Sequence, residues 1–365
     1  MQILTRRPAL RWIAPAALAV AVAGTSLVAS TADAEPKLAP KTAQQLLVDV
    51  QGSDVAGVSG TVVQKAELGL PALPSMGSGA DASQLTSLLS GSHTLRVWYD
   101  GPSKARFALL DNKLGETDVI LNGTDLWTWS SQDNEATHST LPTPAGRGGR
   151  PQAPGAPTTP QDAAKTVLDA IGPSTVVSTD SAVVVAGRPA RELVLAPTDT
   201  RSLISQVRVA VDDQTSTALR VQVLGAKAQT VAEVGFTSVD FATPDAAQFG
   251  FNPPPGAKVT EKGAVKAPAE PTKADRKQAQ QHADQAKAAT EVVGKGWTTV
   301  AVTKVPKDAA AGQLGAVLAT LPTVSGSWGS GRLLAGTAFS AVLTDDGRMA
   351  VGAVQPQLLY DALAK

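Results

Sequence analysis

The chain has 365 residues, enough for two domains, and its 32 Lys and Arg balance its 32 Asp and Glu, so the formal net charge is zero. That balance excludes the polyanion-binding role that a nucleic-acid partner demands. With no Cys and 3 His, disulfides, thiol chemistry and thiolate-held metals are excluded, and little is left for a zinc site.

Residues 1–34 read as an export signal: Arg6, Arg7 and Arg11, an apolar run from Trp12 to about Ala29, then Ala32-Asp33-Ala34 before Glu35 and Pro36. The pattern predicts cleavage after Ala34. The other reading is an uncleaved anchor, since the run approaches the roughly 18 apolar residues that cross a bilayer. Either reading places the remainder outside the cytoplasm, in a periplasm-like space or the cell envelope.

A helix is predicted over residues 40–51, with Leu46, Leu47 and Val50 at three-and-four spacing, followed by a strand over 58–65. Residues 68–91 form a Gly-, Ser- and Pro-rich insertion holding a short amphipathic piece with Leu85, Leu88 and Leu89. A long apolar-tipped insertion between strands is either a functional flap or a loose loop.

From Leu95 to His138 the pattern has period two. Val97 and Tyr99, Phe107 and Leu109, Val119 and Leu121, and Trp127 and Trp129 sit two apart, separated by Asp100-Gly101-Pro102-Ser103 and Asn122-Gly123-Thr124-Asp125. Such turns predict consecutive antiparallel strands, a meander with one face of large apolar side chains. Residues 142–160 are a Pro- and Gly-rich loop, and a second helix is predicted over 159–171 with Ala164, Val167, Leu168 and Ile171 on one face. Strands follow over 182–185, 191–195, 207–211, 219–223 and 230–240, until the prolines of residues 249–257 end the ladder.

Residues 261–294 read as a linker whose second part, 273–292, is a solvated helix. From residue 295 a small α+β unit is predicted: a strand over 297–302, a helix over 313–321, a hairpin of 333–343 with 349–354 about Asp345-Asp346-Gly347, and a last helix over 357–363. The domain plan is therefore a signal peptide at 1–34, a β domain at 35–260, the linker, and the C-terminal unit at 295–365.

No catalytic constellation emerges, so the chain reads as non-enzymatic and cofactor-free. His93 and His138 stand at strand edges without a framed nucleophile. Asp212-Asp213 and Asp345-Asp346 fall in turns, where carboxylates serve turn chemistry. Gly326-Ser327-Trp328-Gly329-Ser330-Gly331-Arg332 has the glycines of a phosphate loop but not its Gly-Lys-Ser/Thr ending, and reads as a loop. The apolar face of the sheet remains. Firmly covered it is core; covered by a lid it becomes a cavity for acyl chains, each buried methylene favourable by roughly 0.8 kcal/mol.

The run of VWYDGPSKARF, DVILNGTDLWTWSSQDNEAT, VRVAVDDQTSTALRVQV and FGFNPPPGAKV resembles the LolA-like lipoprotein-carrier superfamily. The addition of a small unit beginning Gly296-Trp297 is similar to the RseB/MucB periplasmic regulators. The resemblance implies a mainly β (α+β) fold, an unclosed antiparallel β-barrel covered by helices, with a cavity for acyl chains of lipids or lipoproteins. Val97, Tyr99, Phe107, Leu109, Trp127, Trp129, Val209, Leu219, Val221 and Phe236 are then the candidate cavity residues. Leu85, Leu88 and Leu89 would form the lid, and Arg106 occupies the position of an arginine that helps organise the lid in such carriers. The function implied is lipoprotein carriage or sorting; the alternative is regulation of an anti-sigma factor, a membrane-bound partner docked by the C-terminal unit.

Overall fold

A computed structural model describes residues 38–69, 90–110, 115–141, 159–264, 290–305 and 320–365. Helix α1 (Ala43–Gln51) begins after Thr42 rather than at Pro40, because Thr42 and Gln45 form a reciprocal cap: Thr42 Oγ1 accepts from the Gln45 amide at 3.2 Å, and Gln45 Oε1 from the Thr42 amide at 2.8 Å. Helix α2 (Pro160–Asp169) starts in the same manner, Thr159 accepting from the Asp162 amide with Pro160 in the first turn, where a missing N–H costs nothing.

The meander is present as β2 (Ser90–Asp100), β3 (Lys104–Leu110), β4 (Glu116–Asn122), β5 (Asp125–Ser130) and β6 (Glu135–Thr140), each antiparallel to the next. A second meander runs through β7 (Thr175–Val185), β8 (Arg188–Pro197), β9 (Ile204–Asp212), β10 (Ala218–Gly225) and β11 (Thr230–Asp240). Strand β1 (Gly57–Glu67) lies between β2 and β11 and joins the two meanders into one sheet. Ladder pairing does not end at the prolines: β12 (Lys258–Ala264) returns to pair in parallel with β6. The result is a twelve-stranded sheet, β12-β6-β5-β4-β3-β2-β1-β11-β10-β9-β8-β7, not closed into a barrel. The fold is mainly β with helices covering part of the sheet, as the sequence implied.

The second sheet has the order β13-β14-β18-β17-β16-β15, formed by β13 (Thr290–Val293), β14 (Val300–Lys304), β15 (Thr323–Gly326), β16 (Gly329–Ala335), β17 (Ser340–Thr344) and β18 (Arg348–Gly352). Four expectations change here. Residues 290–292 are strand rather than helix, and Gly296–Thr298 is a 3-10 turn, so the strand starts at Val300. The run 333–343 is broken by the turn between β16 and β17. Gly326 to Arg332 is not a loop but a tight hairpin, Gly326 opposite Gly329, with Trp328 buried against Tyr360 at a 5.6 Å ring separation. Helix α3 (Pro356–Leu363) closes the unit, burying Leu359, Ala362 and Leu363. Residues 1–37, residues 70–89 of the insertion with Leu85, Leu88 and Leu89, most of the Pro-rich loop, residues 265–289 of the predicted linker and its helix, and most of the 313–321 helix lie outside the described residues.

Two apolar clusters support the large sheet. In the first, Leu46 and Val50 of α1 and Ala164 and Leu168 of α2 meet Leu193, Leu195, Val207 and Val209. In the second, Val62, Leu95 and Val97 pack with Leu219 and Phe236. The C-terminal unit adds to the first cluster through Ala338, Trp297 and Ala353. Backbone hydrogen bonds cross the same seam, Leu203 N to Ala353 O at 2.9 Å and Gln355 N to Arg201 O at 3.0 Å.

Candidate apolar-chain site

Helix α2 lies across the large sheet and leaves a groove on each side of its Thr166-Val167 turn. The first groove, about 360 Å³, runs between α2 and strands β1, β2, β10 and β11. Ala163, Val167, Val221, Val223 and Val234 supply apolar wall, and Gln64 and His93, opposite each other on β1 and β2, give polar groups to the lining. Val221 and Val234 are cross-strand partners, so the pleat delivers both to the helix side together. The second groove, about 540 Å³, runs along the end of α2, where Val167, Ile171, Leu195 and Val207 face Trp297 and Ala353 of the C-terminal unit.

The ten expected cavity residues do not form one surface. Val221 lines the first groove. Val209, Leu219, Val97 and Phe236 are buried core, and Tyr99, Phe107 and Leu109 pack against that core. Trp127 and Trp129 are on the opposite face of the sheet from Phe107. Their cross-strand partners are Ile120 and Asp118, and those pair with Arg106 and Ala108, whereas Phe107 pairs with Val119. The alternation was legible, but the largest side chains were assigned to the helix-covered face, and a one-residue offset inverts that choice.

What covers Trp127 and Trp129 is the chain after β11. Trp127 stacks on His138 with ring centroids 4.3 Å apart, and Phe251 lies 5.3 Å from Trp127 and 6.1 Å from Trp129. Arg106 belongs to this outer face too. Its Nη2 donates to Asp118 Oδ2 at 2.5 Å, its Nη1 to Gln248 O at 3.5 Å, and its guanidinium lies 5.4 Å from the Trp98 ring. Burial of Asp118, helped by its hydrogen bond to Glu116, pushes its carboxyl up to about 6, against the pull of Arg106. Arg106 thus pins the 3-10 turn Ala246–Phe249 to the sheet. His138 clasps β12: its Nδ1 lies 2.8 Å from Glu261 and its Nε2 3.0 Å from Asp125. Desolvation pulls its pKa down, and the two carboxylates outweigh that and raise it.

No family model matches the sequence, and no curated protein matches it. Several solved structures resemble the fold. The MucA/MucB complex of Pseudomonas aeruginosa contains a chain 15% identical, aligned over 88% of this chain and 96% of that one with a TM-score of 0.41. A LolA superfamily protein from Nitrosomonas europaea is 10% identical over 58% of this chain and 99% of its own, with a TM-score of 0.22. An outer membrane lipoprotein-sorting domain from Vibrio parahaemolyticus gives the same identity and TM-score over 57% and 97%. Likeness at this level concerns fold, and what those proteins bind is theirs.

Sequence reading missed Ala163, Val223, Val234 and Trp297. Ala163 lies beside the face predicted for its helix, and Val223 and Val234 each have one polar neighbour, Gln222 and Glu233. Their signal was the register between β10 and β11. Among the described residues, no group of three or more His, Asp and Glu is placed to hold a metal ion, and no helix is long and apolar enough to cross a membrane.

Proposed function

We propose that this protein is an exported, non-enzymatic carrier that holds an acyl chain of a lipid or lipoprotein in the groove between α2 and strands β1, β2, β10 and β11. The observation that carries this reading is that groove: about 360 Å³ at a helix–sheet junction, walled by Val167, Val221, Val223 and Val234. A stretch of ten methylenes leaving water there gathers roughly 8 kcal/mol before ordering costs. Gln64 and His93 are placed for the polar end of such a ligand.

Native mass spectrometry of protein purified without detergent from a membrane-containing host tests it. The expected result is a co-purifying acyl-chain mass that excess fatty acid displaces and that Val223→Asp loses while retaining a native melt. A bare protein mass that persists after lipid is added would contradict the proposal.

A second reading, regulation through a membrane-bound partner such as an anti-sigma factor, is favoured by the C-terminal sheet. It ends in the edge strand β13, where Val292 is 63% exposed. Val292→Lys would then abolish capture of that partner and spare acyl binding.

A further inference from the structure

The second groove is built by two parts of the chain. One wall comes from α2, β8 and β9, and the other from Trp297, Thr299 and Ala353 of the C-terminal unit. Among the described residues lining it there is no charged side chain; the polar contributions are the hydroxyls of Thr166, Ser174 and Thr299. The first groove differs, with Lys65, Glu233 and His93 in its lining. Trp297 is held in place: its indole Nε1 donates to Thr175 Oγ1 at 2.8 Å, which satisfies the polar edge. Gly296 permits this approach, since a Cβ there would overlap the Ser174 hydroxyl and its φ of +55° suits glycine.

A lining of this kind gives a charged ligand no partner and an uncharged one apolar contact on two sides. The wall itself is divided between the large sheet and the C-terminal sheet, which meet through the apolar contacts of Ala338, Trp297 and Ala353 as well as hydrogen bonds, so an occupant touches both. We propose that the seam groove is a second binding site, for an uncharged apolar chain such as an esterified acyl group, complete only while the C-terminal unit is docked. Occupancy and docking are therefore linked: a chain that binds the docked arrangement stabilises it by mass action. The site does not depend on occupation of the first groove.

The test uses the full chain and methyl 9,10-dibromostearate, an uncharged acyl ester whose bromines quench an indole on contact. In a Trp12→Phe background, which removes the tryptophan of the N-terminal segment, Trp98, Trp127 and Trp129 lie on the other face of the sheet and Trp328 is buried in the C-terminal core, so contact quenching reports on Trp297. The expected result is quenching that falls at least threefold in Trp297→Phe, with the adduct mass still present, and that is unchanged in Val223→Asp. Hydrogen exchange at the seam amides of Leu203 and Gln355 should slow about tenfold at ligand ten times its dissociation constant. An adduct with equal quenching in wild type and Trp297→Phe overturns the site and leaves the first groove standing. Quenching without slower exchange overturns the link to docking. No adduct at all removes both this site and the acyl-carrier reading.

Discussion

Trp127→Ala separates the two faces of the large sheet. The indole is half-buried and stands between two rings, His138 at 4.3 Å and Phe251 at 5.3 Å. Each aromatic pair contributes about 0.5–1.5 kcal/mol beyond area burial. Losing both, together with part of the transfer energy of a large side chain, gives a destabilisation of roughly 2–4 kcal/mol. Urea melts of the single variant, of Phe251→Ala and of the double variant give the coupling between the rings, expected at about 1 kcal/mol. Acyl binding, followed by native mass spectrometry, should be unchanged, because Trp127 projects away from α2. Loss of the acyl adduct in a folded Trp127→Ala protein would refute the assignment of faces. A coupling indistinguishable from zero would refute the claim that Phe251 is what the tryptophans hold.

Three further outcomes follow from particular contacts. The raised pKa of His138 means that its clasp on β12 is fully present below the unfolded value of about 6.5 and is lost as pH rises through the folded value; His138→Gln should flatten that pH dependence of the urea midpoint. Asp212 is desolvated, but Arg188 and the amides of Gln214 and Thr215 outweigh this and hold its carboxyl below the usual range. Its contribution is therefore lost as pH falls through the folded value. Asp212→Asn, which leaves Arg188 without its ion pair, should cost about 3–5 kcal/mol at neutral pH in the same melts. Gly60→Ala should cost about 1–3 kcal/mol, since the new methyl would overlap the Ser238 carbonyl oxygen, which belongs to the ladder and cannot yield, and press on the Phe236 ring at 3.0 Å.

Local signals carried far. The Asp-Gly and Asn-Gly turns set the first meander, the Asp212-Asp213-Gln214-Thr215 turn set the β9–β10 hairpin, and Thr159-Pro160 set the start of α2, whereas the Thr42–Gln45 cap that starts α1 went unread. What stayed hidden was non-local. Nothing in GVSGTVVQKAE says that β1 pairs with β11 as well as β2, and the triple proline before β12 argued against the strand that follows it. The site suffered for the same reason. Its walls are set by which strands lie beside α2, a matter of sheet order, whereas apolar alternation marks core and groove residues alike. In the C-terminal unit, Gly326 to Arg332 misled because glycine suits a tight hairpin as well as an open loop, and the deciding feature, Trp328 folding back onto Tyr360, is a tertiary contact.

Strand β1 also sets the order in which the molecule assembles. Each meander needs only neighbours along the chain, but the β1–β11 pairing brings together residues such as Thr61 and Thr237, 176 positions apart. Closing so long a loop is favourable only after other contacts have shortened it. The middle of the sheet therefore forms late, and until β11 emerges the second edge of β1 stays unpaired. A chain held at that stage is the species that a chaperone or a protease meets.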